Sequence, residues 1–205
     1  DPTIALILFV FAFLGFGVKA AVFPLHSWLP TASVAPTPVT ALLHAVAVVK
    51  AGAFAIIRLI YYSYGTDFIK GTWAQNLVMA LAMFTIFYGS ATALRQKHFK
   101  RRLAFSTISN LSYIVFAATL MTEAGLLAAF CHLLFHSVIK IGAFFSAGAV
   151  LHKTEREYVP ELEGIGRKMP LTFIFFTISA LSLTGIPPFC GFISKWYIAT
   201  ASMSA

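Results

Sequence analysis

The sequence predicts an all-α, polytopic transmembrane bundle of about six spans, two of them discontinuous. Three observations carry that reading. Of 205 residues, 59% are hydrophobic and only 11% charged, with a mean hydropathy of +0.84. A water-facing domain carries about a quarter charged residues, so a soluble enzyme, a disordered chain, a coiled coil and a disulfide mini-protein are excluded. Apolar runs recur at 3–23, 39–62, 73–94, 103–121, 126–151 and 171–197, each near or above the ~20 residues that cross a bilayer as helix. Clusters of proline and glycine interrupt this pattern in two places.

Taken in order, the first run leads into Phe23-Pro24-Leu25-His26-Ser27-Trp28-Leu29-Pro30 and then Ala35-Pro36-Thr37-Pro38. Pro24, Pro30, Pro36 and Pro38 forbid a regular helix there. The second run is uninterrupted, with Arg58 near enough to its end to snorkel. The third and fourth flank a basic loop of Arg95, Lys97, Lys100, Arg101 and Arg102 that holds no acid. The fifth ends in a mixed-charge loop from His152 to Lys168. Alternating spans put both loops on one side, which the positive-inside rule makes the cytoplasm or its organellar equivalent. The sixth run is broken at depth by Gly185, Pro187 and Pro188. A break inside hydrocarbon survives only where protein or water satisfies the freed backbone, and in transporters it marks ion sites. The runs are too long and too continuously apolar for barrel strands. Cys131 and Cys190 lie in apolar runs and read as packing residues. The net charge of +8 is not interleaved with exposed aromatics, so no nucleic-acid partner is expected. The whole of 1–205 reads as one partial transmembrane domain, a slice of a longer chain.

Four of the fifteen basic residues, Lys19, Lys50, Lys140 and Lys195, fall inside apolar runs, whereas all seven acids are terminal or in loops. A lysine at the bilayer centre costs about 3 kcal/mol on insertion scales. Three escapes exist: the amine reaches the interface, it spends time neutral, or it borrows a carboxylate from elsewhere. Lys19 and Lys195, near a span end or a break, partly allow the first. Lys50 and Lys140 sit well inside their runs, and a buried amine able to take up and release a proton is the stronger reading there.

The histidines support it. His132, His136 and Lys140 are spaced i, i+4, i+8 and share one helix face, about 6 Å apart along the axis. His44 shares the second span with Lys50 but not its face. The His132–His136 spacing also suits a metal, yet no third ligand or acid lies near, so no metal and no cofactor are expected. Val48-Val49-Lys50-Ala51-Gly52-Ala53-Phe54 resembles Val138-Ile139-Lys140-Ile141-Gly142-Ala143-Phe144, a hint of an internal repeat.

Several motifs together resemble the antiporter-like membrane subunits. They are Lys19-Ala20-Ala21-Val22-Phe23-Pro24-Leu25-His26-Ser27-Trp28-Leu29-Pro30, Ala35-Pro36-Thr37-Pro38-Val39, His44, Lys50-Ala51-Gly52 and Lys100-Arg101-Arg102-Leu103-Ala104-Phe105-Ser106, followed by His132, His136, Lys140, Met169-Pro170-Leu171, Gly185-Ile186-Pro187-Pro188-Phe189 and Gly191-Phe192-Ile193-Ser194-Lys195. That family includes the proton-pumping subunits of NADH:quinone oxidoreductase, Mrp-type cation/proton antiporter subunits and membrane-bound hydrogenase relatives. The resemblance implies two inverted repeats of five helices with one broken helix in each. It implies that Lys19 pairs with a glutamate on an earlier helix, absent from this sequence. It assigns His44 and Lys50 to the next step of a polar axis, Lys140 with His136 to the centre of a second half-channel, and Lys195 to its exit.

The expected function is therefore proton translocation through a buried Lys/His relay of Lys19, His44, Lys50, His132, His136, Lys140 and Lys195. Expected partners are other membrane subunits, the lipid bilayer and protons, with sodium left open. The expected location is a bacterial or archaeal cell membrane, or an organellar inner membrane. No redox chemistry is expected in this chain. Two rivals stand beside it. A structural membrane subunit without its own proton path would need the lysines only for assembly. An intramembrane enzyme would need a His-Glu-x-x-His, a Gly-x-Ser-x-Gly or paired intramembrane aspartates, and the sequence has none of these.

Overall fold

The computed structural model describes residues 1–33 and 35–204. Helix α1 (Pro2–Lys19) starts on a proline, which costs nothing where the N–H is free, and Asp1 Oδ1 accepts from Thr3 N at 3.0 Å. The chain then breaks over 20–27 before the short α2 (Trp28–Ala32). Side chains satisfy the freed backbone: Phe23 N donates to Thr85 Oγ1 at 3.1 Å, and Trp28 Nε1 donates to Val18 O at 2.7 Å. Pro24 lies in this break and Pro36 in the link to α3 (Thr37–Ala45). Pro30 and Pro38 do not break helices, contrary to expectation. Each occupies the first turn of one, α2 and α3, where no intrahelical donor is lost.

A second correction concerns the run 39–62. It is not one continuous helix: α3 stops at Ala45 and α4 (Val48–Arg58) begins after a step at Val46 and Ala47, whose N–H groups both turn to Leu42 O at 3.0 Å. The span finishes in a π-helical stretch, Leu59–Tyr64. The short α5 (Thr66–Ile69) leads to α6 (Trp73–Arg95) and α7 (Phe99–Thr119). Helix α7 is the least apolar of the long helices, and its Thr107, Ser109, Asn110 and Ser112 are buried, so its polar atoms point into the protein. The longest helix, α8 (Glu123–Thr154), runs back alongside it. After α9 (Ile165–Lys168), α10 (Pro170–Thr184) and α11 (Cys190–Met203) make one broken span packed along α8. Gly185, at φ 86°, caps α10 in the left-handed conformation that favours glycine, and Pro187 and Pro188 fill the turn.

Among the described residues, four stretches are long and apolar enough to cross a membrane: Pro2–Lys19, Thr37–Tyr64, Trp73–Arg95 and Glu123–Thr154. Helix α7 and the α10–α11 pair complete the six. The two charged loops do meet at one end. Phe99 N donates to Glu157 O at 2.9 Å, Val159 N donates to Lys97 O at 2.8 Å, and His98 Nε2 stands 3.3 Å from Glu157 Oε2. Lys100 departs from its loop assignment. It is the second residue of α7, buried, and its Nζ donates to Ala35 O at 3.1 Å.

Candidate functional site

Polar residues of α4, α7, α8 and α11 converge inside the bundle. Lys50, from α4, is buried and its Nζ is hydrogen-bonded to His136 Nδ1 on α8. Both atoms are basic nitrogens, so one must keep a lone pair for the other's proton, and the two together hold at least one proton fewer than they could. His136 stacks on His132 with ring centroids 5.9 Å apart, the spacing expected one helical turn away. His132 Nδ1 lies 2.9 Å from Ser194 Oγ on α11, and that hydroxyl donates to Gly191 O at 3.2 Å.

Lys140 lies one turn beyond His136 and is fully buried. Its Nζ donates to Leu103 O at 3.0 Å and to Ser106 Oγ at 2.6 Å, both on α7, and stands 5.9 Å from the centroid of the Phe144 ring. His44 stacks on the same ring at 4.9 Å. Among the described residues, neither nitrogen of His44 has a protein partner, and neither do Nε2 of His132 and His136, Oδ1 of Asn110 or Oγ of Ser112. Buried polar groups are almost always hydrogen-bonded, so this row of orphaned atoms departs from ordinary core packing. Lys195, half-buried on α11, donates to Leu183 O at 2.6 Å and Thr184 O at 3.3 Å, the carbonyls freed by the second break. Its Nζ stands 5.4 Å from the centroid of the Tyr113 ring.

Lys19 is not part of this cluster. It ends α1 exposed, with no side-chain hydrogen bond among the described residues. No carboxylate oxygen lies within 4.0 Å of Lys50, Lys140 or Lys195 among the described residues. The sequence reading missed Ser106, Asn110, Tyr113 and Ser194. The available signal was the i, i+3, i+4, i+7 spacing of Ser106, Ser109, Asn110 and Tyr113, a polar stripe on an otherwise apolar helix.

The family described as NADH:quinone oxidoreductase/Mrp antiporter, TM, matches residues 2–205. The chain belongs to that family. It is an integral membrane protein of the antiporter-like kind. NADH-quinone oxidoreductase subunit N of Desulforudis audaxviator is 37% identical over 208 residues, covering 100% of this chain and 41% of that protein. The chain thus spans about two fifths of that relative's length. Among solved structures, the archaeal membrane-bound sulfane sulfur reductase superposes with a TM-score of 0.88 at 33% identity, over 98% of this chain and 41% of the other. The Mrp complex of Dietzia sp. superposes with a TM-score of 0.85 at 32% identity, over 98% of this chain and 22% of the other.

Proposed function

We propose that this domain conducts protons across the membrane through Lys50, His136, Lys140 and Lys195, as part of an antiporter-like subunit in a multi-subunit complex of the NADH:quinone oxidoreductase or Mrp type. The observation that carries the reading is the buried Lys50–His136 hydrogen bond with Lys140 one turn away. Three titratable groups from two helices meet where no carboxylate compensates them. A static structural role would be served at lower cost by apolar side chains of similar volume.

In this scheme the Lys50–His136 pair shares a proton and Lys140 holds one against two α7 oxygens. Lys195 holds one at the break, from which it leaves. The driving force comes from elsewhere in the complex. His44 stacks beside Lys140 on the Phe144 ring and His132 stacks on His136, so both flank the row, and Lys19 acts with groups other than this cluster.

The test is proton transport by the whole protein in its complex, reconstituted in vesicles carrying a pH-sensitive dye. Lys140→Ala and Lys195→Ala should each lower transport about tenfold or more while the complex assembles normally. Normal transport with a reduced yield of complex would falsify the proposal and leave the structural-subunit reading in its place.

A further inference from the structure

The histidine row and the lysines are not one line. From Lys50 the row runs through His136 to His132 and stops at Ser194. That hydroxyl lies within reach of His132 Nδ1 and Gly191 O alone, and among the described residues no hydrogen bond carries the row on from it to Lys195. A different route does reach Lys195. Ser106 Oγ, the acceptor of the Lys140 ammonium, lines a cavity of about 220 Å³ between α6, α7 and the α10–α11 break. Lys195, Asn110, Tyr113, Ser109 and Ser90 line the same cavity. Its size and polar walls suit several waters. Asn110 is buried, its Nδ2 is bonded to Ser106 O at 2.8 Å, and its Oδ1 has no protein partner.

We propose that the proton step from Lys140 to Lys195 crosses this α7 cavity by way of the Ser106 hydroxyl and water held between the polar walls of the cavity. This inference rests on the reading that Lys140 and Lys195 carry protons. The step balances. The Lys140 ammonium gives a proton to Ser106 Oγ, Ser106 passes its own hydroxyl proton to a water, and the last water of the file protonates the neutral Lys195 amine. Lys140 ends neutral, Lys195 ends as ammonium, and the serine and waters are unchanged. Asn110 is a positioning residue: its Nδ2 bond to Ser106 O buttresses the α7 turn that carries Ser106, and its side chain forms part of the cavity wall.

The experiment measures proton transport and its solvent deuterium isotope effect in the reconstituted complex, per assembled complex. Ser106→Ala removes the hydroxyl and should slow transport about tenfold or more. Ser106→Thr keeps the hydroxyl and should restore it. Asn110→Leu fills the position with apolar volume, and should slow transport and change the isotope effect. Wild-type transport in Ser106→Ala and Asn110→Leu, while Lys140→Ala is dead, overturns the α7 route and spares the proton-conduction reading. Wild-type transport in Lys140→Ala overturns that reading itself. Should Ser106→Ala fail to assemble, Asn110→Leu decides: wild-type transport with an unchanged isotope effect in that variant sinks the inference.

Discussion

Lys50 and Lys140 sit in nearly the same local sequence, identical at five of seven positions, yet face different chemistry. Both helices place a glycine two residues after the lysine, and each glycine lies against a broken span. A Cβ on Gly52 would come within 2.5 Å of Ala20 N, at the first break. A Cβ on Gly142 would come within 2.7 Å of Ser179 Oγ, on the first half of the second broken span. The shared motif therefore brings a lysine-bearing helix up against a discontinuous one. What each ammonium then meets is set by neighbours the motif does not contain. Lys50 meets a nitrogen base, and Lys140 meets two oxygens. The Leu103 carbonyl can only accept, and the Ser106 hydroxyl accepts while its own proton turns elsewhere, so the Lys140 site can hold a full ammonium, whereas the Lys50 site holds a shared proton.

The largest contrast should come from replacing each lysine with methionine, which keeps volume and removes charge. Lys140→Met should reduce transport about a hundredfold or more yet leave thermal stability unchanged or slightly raised. Leu103 O keeps a bond from Thr107 Oγ1 at 3.0 Å, and the Ser106 hydroxyl is free to turn to a backbone carbonyl. Lys50→Met strands His136 Nδ1 in a buried site beside an already unpartnered Nε2, and should cost about 1–3 kcal/mol of stability. Thermal unfolding of the solubilised protein separates the two. Equal destabilisation by both would mean that the lysines are equivalent structural ties, and the contrast would collapse.

How far was this legible in the sequence? The six spans, the second break and the placing of the two charged loops on one side follow from length, apolar content, Gly185 with Pro187 and Pro188, and span alternation; that the loops touch does not. The Val46–Ala47 step was not legible. It carries no proline or glycine, and tertiary packing rather than propensity makes it. The prolines misled at Pro30 and Pro38 because a proline starts a helix as readily as it ends one, and the sequence does not say on which side of it the break falls. The cluster was half legible. The i, i+4, i+8 row on α8 is a local pattern, but the Lys50–His136 bond joins residues 86 apart in the chain, and the serines and asparagine of α7 look ordinary until burial aims them at an ammonium.

The two glycines offer the next test. Gly52→Ala drives a methyl into the backbone at Lys19 and Ala20, which cannot yield without moving the break. It should cost about 2–3 kcal/mol, at the upper end of overpacking penalties. Gly142→Ala meets only a serine hydroxyl, the movable end of a side chain, and should cost about 1 kcal/mol. Ser179→Ala in the same molecule should return most of that loss, a coupling that a double-mutant cycle reads directly. Rescue at Gly142 with none at Gly52 would show that the first half is held by its backbone and the second by a side chain. Gly15→Ala, with nothing within 4 Å of the added Cβ, is the control.

The smallest effect should lie at the loop end, away from both lysines. His98 Nε2 and Glu157 Oε2 stand 3.3 Å apart, but the side chain of Glu157 is 52% exposed. Exposed pairs of this kind contribute about 0–1 kcal/mol and are screened by salt. What ties α7 to the loop after α8 is the backbone exchange at Phe99, Glu157, Lys97 and Val159, which a side-chain change leaves in place. Glu157→Gln should therefore shift the unfolding midpoint little at low salt and not at all at high salt. A large, salt-independent loss would show that the loop ends hold the two halves in register, and the origin of the Lys50–Lys140 contrast would then have to be sought there rather than at the glycines.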